Sequence, residues 1–176
     1  SKSMLGLLLG ILVQHGVLDP DRLVTDIIPE VADTAYAGAT LRHLLDMRAG
    51  IDFDEDYLAT SGTIVQYRKA TNWNPLELGE APDDLRSFYA NLTERDGPHG
   101  RGFHYVSPNT DLLGWVIERA AGARFADLLR DLLWQPMGAS CSAYITVDRF
   151  GAPRVAGGMC ATVRDLALVG ELLVQD

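Results

Sequence analysis

Cysteine is scarce in this sequence. Two residues, Cys141 and Cys160, in a chain of 176 do not make a disulfide framework. They read as unpaired thiols, because free cysteine behaves as a small hydrophobe. Long apolar runs are missing too. The longest, Met4 to Val13, is about half of what a membrane span needs, so no membrane partner is expected. No charged segment precedes it and no small-residue cleavage site follows it, so it does not read as a signal peptide. Basic residues are outnumbered, 15 against 24 acids, for a net charge of −9. That balance argues against nucleic acid or an anionic membrane surface as the main partner. The four histidines, His15, His43, His99 and His104, show no metal-ligand spacing and have no cysteine nearby. No metal or organic cofactor is implied. His99 and His104 flank a glycine-rich turn and read as loop residues in solvent. Repeats, low-complexity tracts and linkers are also absent, which leaves one domain over residues 1–176.

What is present is mostly helical. Hydrophobic residues make up 47% of the chain, enough for a real core. Met4 to His15 is apolar on every side and predicts a buried helix stopped at Gly16. The stretch from Val17 to Val31, punctuated by Pro20 and Pro29, predicts a short surface excursion. Thr40 caps a helix carrying Leu41, Leu44 and Leu45, ended by Gly50. From Ile51 to Ala81 no clean period appears, which predicts a long loop of the kind that often carries function. Asp54, Glu55 and Asp56 read there as a solvated acidic turn. A helix is predicted from Pro82 to Leu92, with Pro82 in its first turn. Leu112, Leu113, Val116 and Ile117 predict a helix closed by Gly122. Another runs from Phe125 and stops before Pro136. Residues 142–158 predict a strand, a turn and a second strand. Thr162 and Asp165 form a capping-box variant opening a last helix, Val163 to Val174.

Lys2 stands at the mouth of the first apolar helix. A lysine three residues after a serine on a helix shares a face with it. An amine buried among apolar side chains is disfavoured as an ammonium, and the neutral form can take a serine's proton. Ser1 and Ser3 are adjacent to Lys2 and cannot share its face. The serine of such a pair is expected before residue 1. Tyr105 lies at the end of an irregular segment, just before a helix. A tyrosine beside a lysine can move a proton between a nucleophile and a leaving group. Ser107 and Asn109 nearby offer hydrogen bonds to a substrate amide or carboxylate.

Four phrases in order carry a resemblance over nearly the whole chain. They are Ser1-Lys2-Ser3 on the apolar helix, "TLRHLLDMRAGIDFDEDY", "FHYVSPNTDLLGWVIERAAG" with "WQPMG" after it, and "GGMCATVRDLALVGELL". Together they resemble the serine β-lactamase and penicillin-binding-protein-like superfamily, in its class C and esterase branch. Within it they look most like the 6-aminohexanoate-dimer (nylon-oligomer) hydrolase group. The resemblance implies that Lys2 is the lysine of a Ser-x-x-Lys motif and Tyr105 the tyrosine of a Tyr-x-Asn motif. Ser107 stands where many members carry that motif's asparagine. Tyr57 matches a tyrosine lining the substrate site.

Two elements of the family pattern fall outside the sequence: the nucleophilic serine before residue 1, and a Lys/His-Thr-Gly-type strand motif after residue 176. The fold expected is therefore mostly α with a short β excursion, the helical region of an α/β (α+β) hydrolase fold apparently truncated at both ends. The rest of the hydrolase domain is its expected partner. The function implied is cleavage of a small-molecule ester, amide or β-lactam through an acyl-enzyme, with the isolated 176 residues inactive. The competing reading is a β-lactamase-like protein that has lost catalysis and binds or regulates, since fold alone does not prove function.

Overall fold

The computed structural model describes residues 1–174. Seven α-helices surround one core among these residues, with a single two-stranded sheet. Helix α1 spans Lys2–Gln14 and buries Met4, Leu5, Leu8, Leu9 and Leu12. It is not buried all round, as its apolar composition predicts. A side chain at Gly6 or Gly10 would meet nothing within 4 Å.

The segment after α1 is a correction. The sequence predicts a surface excursion from Val17 to Val31. Instead two 3₁₀ turns, Val24–Asp26 and Pro29–Val31, press Val24, Ile28 and Val31 into the core. Helix α2 is only Leu41–Leu45. Thr40 caps it by accepting from the His43 N–H, while the His43 ring accepts from the Thr40 N–H. It ends before Gly50 because Met47 adopts φ of +54°. Gly50 serves packing: a Cβ there would collide with the Gly97 carbonyl.

Residues 63–70, expected as loop, form helix α3, Thr63–Ala70. Its buried residues Ile64, Tyr67 and Ala70 fall three apart, a short helical stripe hidden between irregular segments. Helix α4 is Leu85–Phe88, capped by the Asp84 carboxylate on the Arg86 and Ser87 N–H groups, so Pro82 lies outside it. A 3₁₀ turn, Tyr89–Asn91, continues the chain.

Helix α5, Ser107–Ala121, is the central element, and its first eleven residues are buried. Gly122 ends it at φ of +64°, a left-handed position that favours glycine. Tyr89 stacks on Trp115 of α5, while Phe53, Tyr67 and Phe88 form a second ring cluster with edge-on and tilted contacts.

Helix α6, Phe125–Leu129, runs into a π turn, Arg130–Trp134. Strands β1, Tyr144–Ile145, and β2, Met159–Cys160, pair antiparallel; the strand–turn–strand order is as expected, but the second strand lies just past the expected 142–158. The loop between them is tied by Asp148, whose carboxylate accepts from the Phe150, Ala152 and Leu85 N–H groups. Helix α7, Val163–Val174, opens with Thr162 accepting from the Asp165 N–H. The Asp165 side chain turns to the Ser140–Cys141 backbone, locking α7 to the preceding loop. Val163, Leu166, Leu173 and Val174 remain exposed on α7. Cys141 and Cys160 are both free and exposed. No helix among the described residues is long and apolar enough to cross a membrane.

His99 also departs from expectation. It is half-buried, stacked on His43, and works as a brace rather than a solvent residue. Its Nδ1 accepts from the Gly50 N–H at 3.0 Å, which leaves Nε2 as the protonated nitrogen facing the Ala37 carbonyl at 3.1 Å. Burial lowers its pKa below the ordinary histidine value, against the raising effect of the Ala37 bond. Because the folded value lies below the unfolded one, His99 contributes stability above about pH 6.5 that is lost as pH falls through the folded value. Thermal melts of the full-length protein should therefore show a fall in stability below that pH. In His99→Gln the fall should be shallower. An unchanged slope in the variant would remove His99 as its source.

Candidate active site

Two distant segments converge on the Lys2 amine of α1. Lys2 Nζ donates to Ser107 Oγ at 3.1 Å, across 105 positions of sequence. It also donates to the Ala156 carbonyl at 2.8 Å. The Tyr105 ring lies beneath it, 4.8 Å from nitrogen to centroid, a cation–π distance. Each element has a local reason to be there. Lys2 projects from the first turn of α1. Tyr105 and Ser107 sit at the entry of α5, where Pro108 in the first turn starts the helix. Ala156 comes on the β1–β2 connection, which folds back so that the Ala156 N–H meets Asp111 of α5 at 2.7 Å.

The sequence reading missed Glu55. The acidic stretch 54–56 predicts a solvated turn, yet Glu55 reaches into the site. Its Oε2 accepts from the Ser107 N–H at 2.6 Å, and its Oε1 accepts from Ser107 Oγ at 2.6 Å and from the Tyr57 hydroxyl at 2.7 Å. A carboxylate on the first N–H of a helix is favoured by the helix dipole. Nothing in the local spacing separates Glu55 from its acidic neighbours; its partner is 52 positions away. The Ser107 hydroxyl thus bridges Lys2 and Glu55. Its proton points to the carboxylate and its lone pairs to the amine.

Tyr57 joins this cluster through Glu55, and the residue is 66% exposed. The Glu55 bond, then burial and the charges of Glu55 and Tyr105, push its pKa up to about 12, so it stays a phenol. Tyr105 is 43% exposed. Asn109 is not brought to the site. It is fully buried, with its Oδ1 accepting from Tyr36 and its amide nitrogen facing the Met47 sulfur. Both ends of its amide are taken by the core, so it offers no edge to a substrate, and the expectation for it is corrected on that ground. Among the described residues, no group of three or more His, Cys, Asp or Glu could hold a metal ion.

The sequence profile of the beta-lactamase family matches residues 1–176. The chain belongs to the beta-lactamase family. Its resemblance to the 6-aminohexanoate-dimer hydrolases holds as well: the 6-aminohexanoate-dimer hydrolase of Paenarthrobacter ureafaciens is 37% identical over 175 residues. That alignment takes in 99% of this chain and 44% of the relative, so the chain spans less than half of that relative's length. Among solved structures, a putative 6-aminohexanoate-dimer hydrolase from Bacillus anthracis superposes with a TM-score of 0.87 at 24% identity, over 99% of this chain and 46% of that one. A D-stereospecific amidohydrolase from Streptomyces sp. superposes at 0.70 and 21% identity, over 99% of this chain and 58% of that one. Both likenesses show the beta-lactamase-like fold, of which this mostly helical chain carries the helical region.

Proposed function

We propose that residues 1–176 are the helical region of a serine hydrolase that opens an ester or amide through an acyl-enzyme. The observation that carries this reading is the Lys2 amine held between Ser107 Oγ and the Ala156 carbonyl, over the Tyr105 ring. In the full-length protein the nucleophile is a serine three residues before Lys2, one helical turn away on the same face. Lys2 takes the hydroxyl proton as the oxygen attacks the substrate carbonyl. Tyr105 passes a proton to the departing amine or alcohol, leaving the acyl group on the serine. Water, deprotonated by the same pair, then releases the acid. Tyr57 and Ser107 line the substrate side, and Glu55 holds both.

The uncovered faces support the domain reading. Among the described residues, nothing lies within 4 Å of a Cβ placed at Gly6 or Gly10 on α1, and Val163, Leu166, Leu173 and Val174 on α7 are exposed. In a hydrolase domain of the relatives' length, the remaining chain supplies the sheet that covers them. The isolated 176 residues are then inactive.

The preferred substrate is a linear amide like the 6-aminohexanoate dimer named for the Paenarthrobacter relative. Full-length protein assayed against that dimer, p-nitrophenyl esters and nitrocefin tests this. Turnover of the dimer above nitrocefin is expected. Turnover of none of the three would contradict the hydrolase reading and favour a binding protein.

A further inference from the structure

Helix α5 carries more of the site than its entry. Ser107, Asp111 and Gly114 fall at i, i+4 and i+7, so they form one stripe along the helix. Ser107 meets Lys2 directly. Asp111 is fully buried and accepts the Ala156 N–H through Oδ1 at 2.7 Å, while its Oδ2 accepts from the Tyr67 hydroxyl. Gly114 lets the same segment approach: a Cβ there would lie 2.5 Å from Val155 Cγ2. So the chain that offers its carbonyl to Lys2 is pinned to α5 at two adjacent residues, by a hydrogen bond and by close packing.

We propose that Asp111 is a positioning residue for the Lys2 amine, acting through Ala156, and that the Ser107–Asp111–Gly114 stripe aims the nitrogen's lone pair. This rests on the reading of Lys2 as the base. A neutral amine has two N–H bonds and one lone pair. In the neutral form that a base must take, two acceptors, Ser107 Oγ and the Ala156 carbonyl, would take both N–H bonds. The lone pair is then left on the remaining side, free to accept a proton. Were the Ala156 carbonyl to move, the amine could rotate about its last bond and the lone pair would lose its direction.

The chemistry of residue 111 points the same way. Burying a carboxylate is costly, and an apolar side chain would fill this core site with no such penalty. Burial pushes the Asp111 carboxyl up to about 6, against the Tyr67 and Ala156 hydrogen bonds and the charges of Arg154 and Lys2, which hold it down. What the carboxylate supplies that an apolar residue cannot is an acceptor for the Ala156 N–H.

The test uses the full-length protein with three variants, their melting temperatures, and kcat and KM for an ester and a linear amide. Asp111→Ala is expected to lower kcat by about 10- to 100-fold, the scale of a misplaced catalytic group, with KM changed little. Asp111→Asn retains an oxygen for the Ala156 N–H and should restore most of that loss. Gly114→Ala pushes Val155 off α5 without touching Asp111, and should reproduce the fall in kcat even if Asp111→Ala does not fold. Wild-type kcat in a folded Asp111→Ala or in Gly114→Ala would overturn the proposal. Asp111→Asn as slow as Asp111→Ala would also overturn it. Lys2→Ala separates the two levels. If it abolishes turnover while the Asp111 and Gly114 variants keep it, only this inference fails. If it leaves turnover intact, the reading of Lys2 as base fails first.

Discussion

Lys2→Ala in the full-length protein is expected to lower kcat by at least about two orders of magnitude, the usual scale for a general base. The expectation follows from what Lys2 touches. Its nitrogen is the meeting point of α1, the entry of α5 and the β1–β2 connection. Alanine removes the amine and leaves the Ser107 hydroxyl paired with Glu55 alone. Binding should suffer less than turnover, because Tyr57 and Ser107 stay in place, so KM should move far less than kcat. A cation–π contact of this kind contributes only about 0.5–2 kcal/mol, so the fold should survive the change. Steady-state kinetics beside a thermal melt check both halves. A folded variant turning over at near-normal rate would take Lys2 out of the mechanism.

Tyr105→Phe is expected to cost a similar factor, at least about 10²-fold in kcat, for a different reason. Phenylalanine keeps the ring under the Lys2 nitrogen and removes only the hydroxyl. A loss therefore reports the proton and not the packing. The size should depend on the leaving group. A linear amide must have its nitrogen protonated to depart, so its rate should fall by the full factor. A p-nitrophenolate leaves without a proton and should be less affected. Equal losses for both substrates would point to a structural role for the hydroxyl, and no loss for the amide would remove Tyr105 as the shuttle.

Several elements could be read directly. The apolar run of α1, the Leu112–Ile117 face of α5 with Gly122 behind it, and Thr162 before α7 all announce themselves through local patterns. Local patterns also explain what was missed. Helix α3 shows only three buried positions, so its period drowned in the polar residues around it. Val24 and Val31 sit in 3₁₀ turns and Ile28 between them, a spacing that gives no lasting stripe. Where side-chain identity decides, as at Lys2, Tyr105 and Tyr57, the sequence singles out residues that the structure places near one another. The site was illegible where long-range pairing decides. Glu55 looks like its acidic neighbours until Ser107 arrives from 52 positions away. Asn109 looks like a polar residue near a site until Tyr36 takes its amide oxygen. Ala156 contributes a backbone carbonyl, which no residue type can advertise.

The central claim is a covalent acyl intermediate on the serine one turn before Lys2. Full-length protein quenched during turnover of a slow ester and measured by intact and peptide mass spectrometry tests it most directly. An added acyl mass is expected on the peptide containing that serine, three residues before Lys2. An active enzyme with no adduct, or with the adduct on any other residue, would contradict it.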